Sequence, residues 1–205
     1  MSFDIVITGV GGQGTVLAAR VLARAAMATG LPVRTSEIIG MAQREGVVMS
    51  QVRFGDPLWG ALIPNGKADL LLGFEPAEAV RGLPKLKANG TAVVNTAAVL
   101  PVTVSLGLSA YDPQACLGCL REKVPFLYLL DAFRLAVEAG HPRAINAVLL
   151  GAVAALNLLP FTADHLLHCL LAALPEKYRE INRRAFAAGQ DDINPGYRGG
   201  RSDRA

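Results

Sequence analysis

Short apolar runs alternate along this chain with longer stretches whose apolar positions recur at helical spacing. Ile5-Val6-Ile7 is a continuous β-branched run of the kind a buried parallel strand requires. From Thr15 to Ala28 the residues favour a helix, with Val16, Leu17, Val21, Leu22 and Ala25 on one face, Arg20 and Arg24 opposite, and Gly30 past its end. Pro32 to Ile38 reads as a second strand and Val47 to Phe54 as a third, closed by the turn Gly55-Asp56-Pro57. No helical pattern separates these two, which departs from strict strand–helix alternation. Leu58 to Lys67 reads as an ordered loop, Asp69 to Phe74 as a strand, and Pro76 to Lys87 as a helix that kinks or breaks at Pro84. Asn89-Gly90 then predicts a turn into a strand at Thr91 to Thr96.

Phe126 to Asp131 predicts the last strand, followed by a helix from Ala132 to Ala139 closed by Gly140. Ile145 to Asn157 is apolar on every face, so it must be buried in the core or in an interface, and Gly151, Ala152, Ala154 and Ala155 would let another backbone approach it closely. Thr162 caps a helix expected to bury Leu166, Leu167, Leu170, Leu171 and Leu174. Pro175 starts a final helix with Tyr178, Ile181 and Phe186 inward, ended by Gly189. These elements predict an α/β fold, a Rossmann-like doubly wound and mostly parallel sheet with a C-terminal helical extension. Residues 1–189 form a single domain, the extension covers about 145–189, and residues 190–205, polar and basic, form a disordered tail.

The chain of 205 residues is 52% hydrophobic and 18% charged, which suggests a face covered by a partner. A net charge of +3 with no basic patch interleaved with aromatics argues against nucleic acid. Three cysteines point to a reducing compartment, Met1-Ser2-Phe3 leads straight into the first strand, and the apolar stretch Ala147 to Leu159 falls short of the about 20 residues a membrane helix needs. The expectation is a cytoplasmic protein that does not enter a membrane.

The chemistry concentrates at Gly9-Val10-Gly11-Gly12-Gln13-Gly14-Thr15. Gly9, Gly11 and Gly14 match the G-x-G-x-x-G turn between a strand and a helix, where glycines allow close backbone approach and the helix N-terminus favours a phosphate. The same glycines would also serve packing alone. Glu37, near the end of the second strand, is either the acid that holds ribose hydroxyls in a nicotinamide dinucleotide fold or a solvated carboxylate. Asn95 stands at the carboxyl end of its strand, where ligands of open α/β sheets bind. Cys116 and Cys119 form one C-x-x-C; with only Cys169 besides, they read as ordinary thiols rather than a metal or redox centre, and His165 and His168 as boundary histidines.

The Gly9 to Gly14 turn, the segment Gly40-Met41-Ala42-Gln43-Arg44-Glu45-Gly46 and Ser50-Gln51-Val52-Arg53-Phe54-Gly55 together resemble the gamma-type component of the 2-oxoacid:ferredoxin oxidoreductases, the pyruvate/ketoisovalerate oxidoreductase catalytic domain. Asn146 with Leu150-Gly151-Ala152, and Pro175-Glu176-Lys177 with Ala185 to Gly189, extend the likeness over about residues 4–189, nearest to the beta subunits of the indolepyruvate:ferredoxin branch. Glu45 departs from the glycine expected between Arg44 and Gly46. The resemblance implies one part of an enzyme that oxidatively decarboxylates an arylpyruvate-like 2-oxoacid to an acyl-coenzyme A, carbon dioxide and reduced ferredoxin. It further implies a larger alpha-type subunit carrying thiamine diphosphate, magnesium and the iron–sulfur clusters, no cofactor bound tightly by this chain, and coenzyme A as co-substrate. No catalytic residue is assigned; Gly9, Gly11, Gly12, Gln13, Gly14, Thr15, Met41, Gln43 and Arg44 are the candidates for closing over the partner's thiamine site and seating coenzyme A phosphates. Arg44 and Arg53 can supply charge-assisted bonds to phosphate or carboxylate, or form salt bridges instead. A docking module and a stand-alone NAD(P)-dependent reductase are the alternatives, and an isolated chain can pair with a second copy.

Overall fold

The computed structural model describes residues 2–40, 46–100, 102–108 and 110–193. The elements in chain order are β1 Phe3–Val10, α1 Thr15–Ala28, β2 Val33–Ile39, β3 Val47–Phe54, β4 Ala68–Gly73, α2 Pro76–Gly82, β5 Leu86–Asn95, α3 Val102–Ser105, α4 Pro113–Lys123, β6 Phe126–Leu130, α5 Ala132–Ala139, α6 Ile145–Ala155, α7 Ala163–Ala172 and α8 Glu176–Asp192. The strands form one sheet in the order β2-β3-β1-β4-β5-β6. β1, β4, β5 and β6 run parallel, whereas β3 lies antiparallel between β2 and β1. The absence of a helix between the second and third strands therefore has a topological reason: β2 and β3 are an antiparallel pair inserted beside β1.

Side chains alternate across the sheet as the strand period dictates. Ile5, Ile7, Leu70, Leu72 and Val93 pack with α1 and α5 to α8 on one face. Val6, Leu71, Ala92 and Val94 pack with α2 and α4 on the other, so the strands are buried on both sides. The face of α1 is set differently from the expected one: Ala18, Ala19, Val21, Leu22, Ala25 and Ala26 are buried, while Val16 and Leu17 are half-buried. α7 buries Leu166, Leu170 and Leu171, but Leu167 and Leu174 lie at the boundary.

Further expectations change. The helix from Pro76 stops at Gly82; a 3-10 turn carries Leu83–Lys85 through Pro84, and Lys87 already belongs to β5. Asn89 and Gly90 lie inside β5, where Leu86 and Thr91 pair with Ala68 and Leu70, so the turn survives as a bulge within the strand. Gly189 does not end the last helix, and neither does Gln190 begin a tail: α8 continues to Asp192 and Ile193 is buried. Gly189 is there for contact with α6, since a Cβ on it would stand 1.9 Å from the Val148 carbonyl oxygen. Reciprocally, a Cβ on Gly151 would stand 2.0 Å from the Phe186 oxygen. The all-apolar α6 is thus core, with nine of its 11 residues buried within this chain, and Tyr178, expected inward on α8, is exposed.

α7 also closes the far end of α1. The Ala25 carbonyl, one of the last four of that helix, faces His165 Nε2 at 3.0 Å, so that ring nitrogen carries the hydrogen and donates it. His165→Leu is expected to lower stability by about 1 kcal/mol in urea unfolding, with His165→Gln recovering part of the loss.

Candidate functional site

β1, β4 and β5 end at one edge of the sheet, and α1 leaves β1 for β2 on one side while β4 lies on the other. The crevice at this reversal is where open α/β sheets bind ligands. The glycine turn fills it. Gly9 has no room for a side chain: a Cβ would come within 2.8 Å of Gln13 Oε1 and 2.9 Å of Phe74 Cβ. Gly12 and Gly14 hold φ of 88° and 92°, the left-handed region that favours glycine, and Gly11 and Gly12 are exposed. Gly14 is the N-cap of α1, no side chain caps the helix, and Thr15, its first residue, is buried. Exposed glycines beside uncapped helix N–H groups are an arrangement that favours an anion.

Beneath the turn, polar side chains act as struts. Gln13 Oε1 accepts the Val10 N–H at 2.9 Å, and Gln13 Nε2 donates to the Phe74 carbonyl at 3.3 Å. Asn95 Nδ2 donates to the same carbonyl at 3.0 Å, while Asn95 Oδ1 accepts the Ala132 and Ala97 N–H groups. Both amides are thereby engaged within the chain, tying the ends of β1, β4 and β5 and the start of α5. Gly11 N–H donates to the Gly46 carbonyl at 2.9 Å, and Gly40 N–H to the Val47 carbonyl at 2.8 Å. Gly46 thus stands beside the turn and Gly40 across Val47 from it; Met41, Gln43 and Arg44, between them in sequence, lie outside the described residues.

The other sequence candidates separate. Arg53 is at the opposite edge of the sheet, forked onto Asp4, so its role is an ion pair and not a ligand contact at the turn. Glu37 is exposed on β2, in a cleft shared with Arg20 and Arg24 of α1. Cys116 and Cys119 are free and half-buried on α4, and burial followed by the charge of Glu75 pushes the Cys116 thiol up, away from the reactive thiolate. Cys169 is likewise raised by burial, with Arg24 opposing. Among the described residues no group of His, Cys, Asp or Glu is arranged to hold a metal ion, and no helix is long and apolar enough to cross a membrane.

Two further residues come into view only in three dimensions. Tyr111 donates a short hydrogen bond to Glu75 Oε1, whose other oxygen caps α2 at the Glu78 N–H, and burial followed by that bond holds the Tyr111 phenol far above its ordinary range. Glu78 is raised by burial, with Arg81 lowering it in part. Nothing near Tyr111 in sequence announces Glu75. Asn146 lies against Gly14, and it does carry a sequence signal: it is the one polar residue of α6.

The family model for pyruvate ferredoxin/flavodoxin oxidoreductase matches residues 4–191. The chain belongs to the pyruvate ferredoxin/flavodoxin oxidoreductase family. Within the family it is 41% identical over 189 residues to indolepyruvate oxidoreductase subunit IorB of Pyrococcus horikoshii, covering 91% of this chain and 94% of that protein. It is 36% identical to the subunit of the same name from Archaeoglobus fulgidus, covering 96% of this chain and 98% of that one. The fold matches the gamma subunit of a keto/oxoacid ferredoxin oxidoreductase from Geobacter sulfurreducens PCA, with TM-score 0.69, 24% identity, and 93% and 98% of the two chains covered. It also matches 2-oxoglutarate:ferredoxin oxidoreductase from Magnetococcus marinus, with TM-score 0.69 and 21% identity, where 94% of this chain covers 31% of a longer one. At these identities the structures share the fold alone. The family and its near-full-length relatives make this chain a subunit of an oxidoreductase complex, as the resemblance implied.

Proposed function

We propose that this chain is the smaller subunit of a cytoplasmic 2-oxoacid:ferredoxin oxidoreductase acting on indolepyruvate or a related arylpyruvate, forming the acyl-coenzyme A, carbon dioxide and reduced ferredoxin. The larger subunit holds thiamine diphosphate with magnesium and the iron–sulfur clusters. The observation that carries the substrate class is 41% identity over nearly the whole of both chains to an indolepyruvate oxidoreductase subunit. The part of this chain in the reaction is carried by the uncapped, glycine-lined start of α1. It fits the diphosphate of coenzyme A, and Gly46 stands beside it. The chain's own residues bind and orient the acyl acceptor, and the redox chemistry belongs to the groups of the partner. With α6 buried in its own core, a pair of isolated chains would use another surface.

The test is purification of the protein from its own cells. A larger subunit with iron–sulfur absorbance, and ferredoxin reduction that requires both indolepyruvate and coenzyme A, is the expected result. Full activity from the partner alone would reduce this chain to a docking module, and a chain that purifies alone and binds NAD(H) or NADP(H) would replace the reading with a stand-alone reductase.

A further inference from the structure

Two helix N-termini meet at the glycine turn. α1 starts at Gly14 with no capping side chain, whereas α6 continues directly from a 3-10 turn, Pro142–Ala144, and has its Ala147 N–H taken by the Asn146 side chain. They are in contact through Asn146, whose Nδ2 would lie 3.2 Å from a Cβ on Gly14, with its Cγ at 3.6 Å. Asn146 is 5% exposed. The orientation of its amide is fixed, because Oδ1 accepts the Ala147 N–H at 2.9 Å, which leaves Nδ2 turned toward Gly14. Among the described residues that nitrogen donates to no acceptor. The other amide at the turn, Gln13, is bonded at both of its ends. The open N–H groups of the first turn of α1 and the Asn146 amide are therefore donors gathered beside the positive end of α1, with no acceptor between them among the described residues. Such an arrangement favours an anion over a neutral group.

We propose that Asn146 Nδ2 donates to the diphosphate of a nucleotide-type ligand on the glycine turn, so that the cradle has two sides, α1 and α6. The assignment rests on the reading of the turn as a diphosphate seat for coenzyme A; NAD carries the same diphosphate. It gives Gly14 a second reason to be glycine besides its φ of 92°: a side chain there would displace Asn146.

Asn146→Asp separates binding from folding. Aspartate keeps the size of the side chain and the acceptor for Ala147 N–H, and the helix start offsets part of the cost of burying its charge, but the donor is gone and a negative charge faces the phosphates. Coenzyme A and, separately, NAD are titrated calorimetrically into the assembled complex, wild type and N146D, with thermal midpoints measured alongside. The expected result is a Kd for coenzyme A raised at least about tenfold in N146D, with the variant complex still folded and assembled at the temperature of the titration. Should N146D fail to assemble, Asn146→Ala reports the same loss without added repulsion. Equal coenzyme A affinity in wild type and variant overturns the role of Asn146 and leaves the reading of the turn in place. Wild type that binds NAD instead, with the variant weakened, keeps the donor and overturns the coenzyme A reading. Wild type that binds neither ligand overturns both.

Discussion

Gly189→Ala lowers the stability of this protein by about 3 kcal/mol, even though the substitution is made in the interior of a helix. Helix propensity alone predicts the opposite sign, a gain of up to about 1 kcal/mol when glycine becomes alanine. Packing reverses it, because the new Cβ would stand 1.9 Å from the carbonyl oxygen of Val148 and 2.7 Å from its carbon. Those are backbone atoms of α6, which cannot rotate aside, so the two helices must separate. Gly151 makes the mirror contact with Phe186, and Gly151→Ala carries the same expectation. Gly118 on α4 is the control: nothing lies within 4 Å of its Cβ position, so Gly118→Ala gains up to about 1 kcal/mol. Urea unfolding of the three variants decides it, and a Gly189→Ala midpoint equal to that of wild type would mean that α6 and α8 do not cross this closely. The loss is large against a total of about 5–15 kcal/mol. It also reaches the site, because α6 carries Asn146 to Gly14, and a displaced helix takes the amide with it.

The same glycine shows where the sequence stops being legible. Glycine after a helical stretch signals a stop, and glycine inside a helix signals close approach; local pattern does not distinguish these, and only the position of Val148 settles Gly189 as the second. The β1–turn–α1 unit can be read because three signals agree there: a β-branched run, glycines at the required spacing, and helix formers to Ala28. The burial of α6 can be read because it has no polar face, and the approach of another backbone can be read from Gly151. Gln13 and Asn95 are recognisable as residues of the site edge, but the direction of an amide depends on the Phe74 carbonyl, which arrives from β4. Tyr111 and Glu75 are brought together by the packing of two crossovers, information that no window of sequence contains. Lys87 belongs to a strand rather than to the expected helix because Pro84 marks only a break; the type of the next element is set by pairing with β4.

Arg53→Met is expected to cost about 3–5 kcal/mol, for reasons that lie at the sheet edge away from the glycine turn. The guanidinium grips both oxygens of Asp4 at 2.9 and 3.0 Å, and its remaining nitrogen donates to the carbonyls of Gly60 and Leu62 at 3.1 Å. The side chains of Arg53 and Asp4 are only 13% and 6% exposed, so methionine would leave a buried carboxylate without its cation and two carbonyls without their donor. The same loop is anchored again where Ile63 N–H donates to Gln51 and Lys85 donates to the Ile63 carbonyl. The damage is therefore expected as lost stability rather than as an unravelled loop. Arg53→Lys keeps the charge but cannot fork, and should fall between wild type and Arg53→Met. Pairing Arg53→Met with Asp4→Asn removes the stranded charge, so the double variant should lose clearly less than the sum of the two single losses. If Arg53→Met instead unfolds like wild type while coenzyme A affinity of the complex falls, the arginine acts on the ligand after all, and its place beside Asp4 would be incidental.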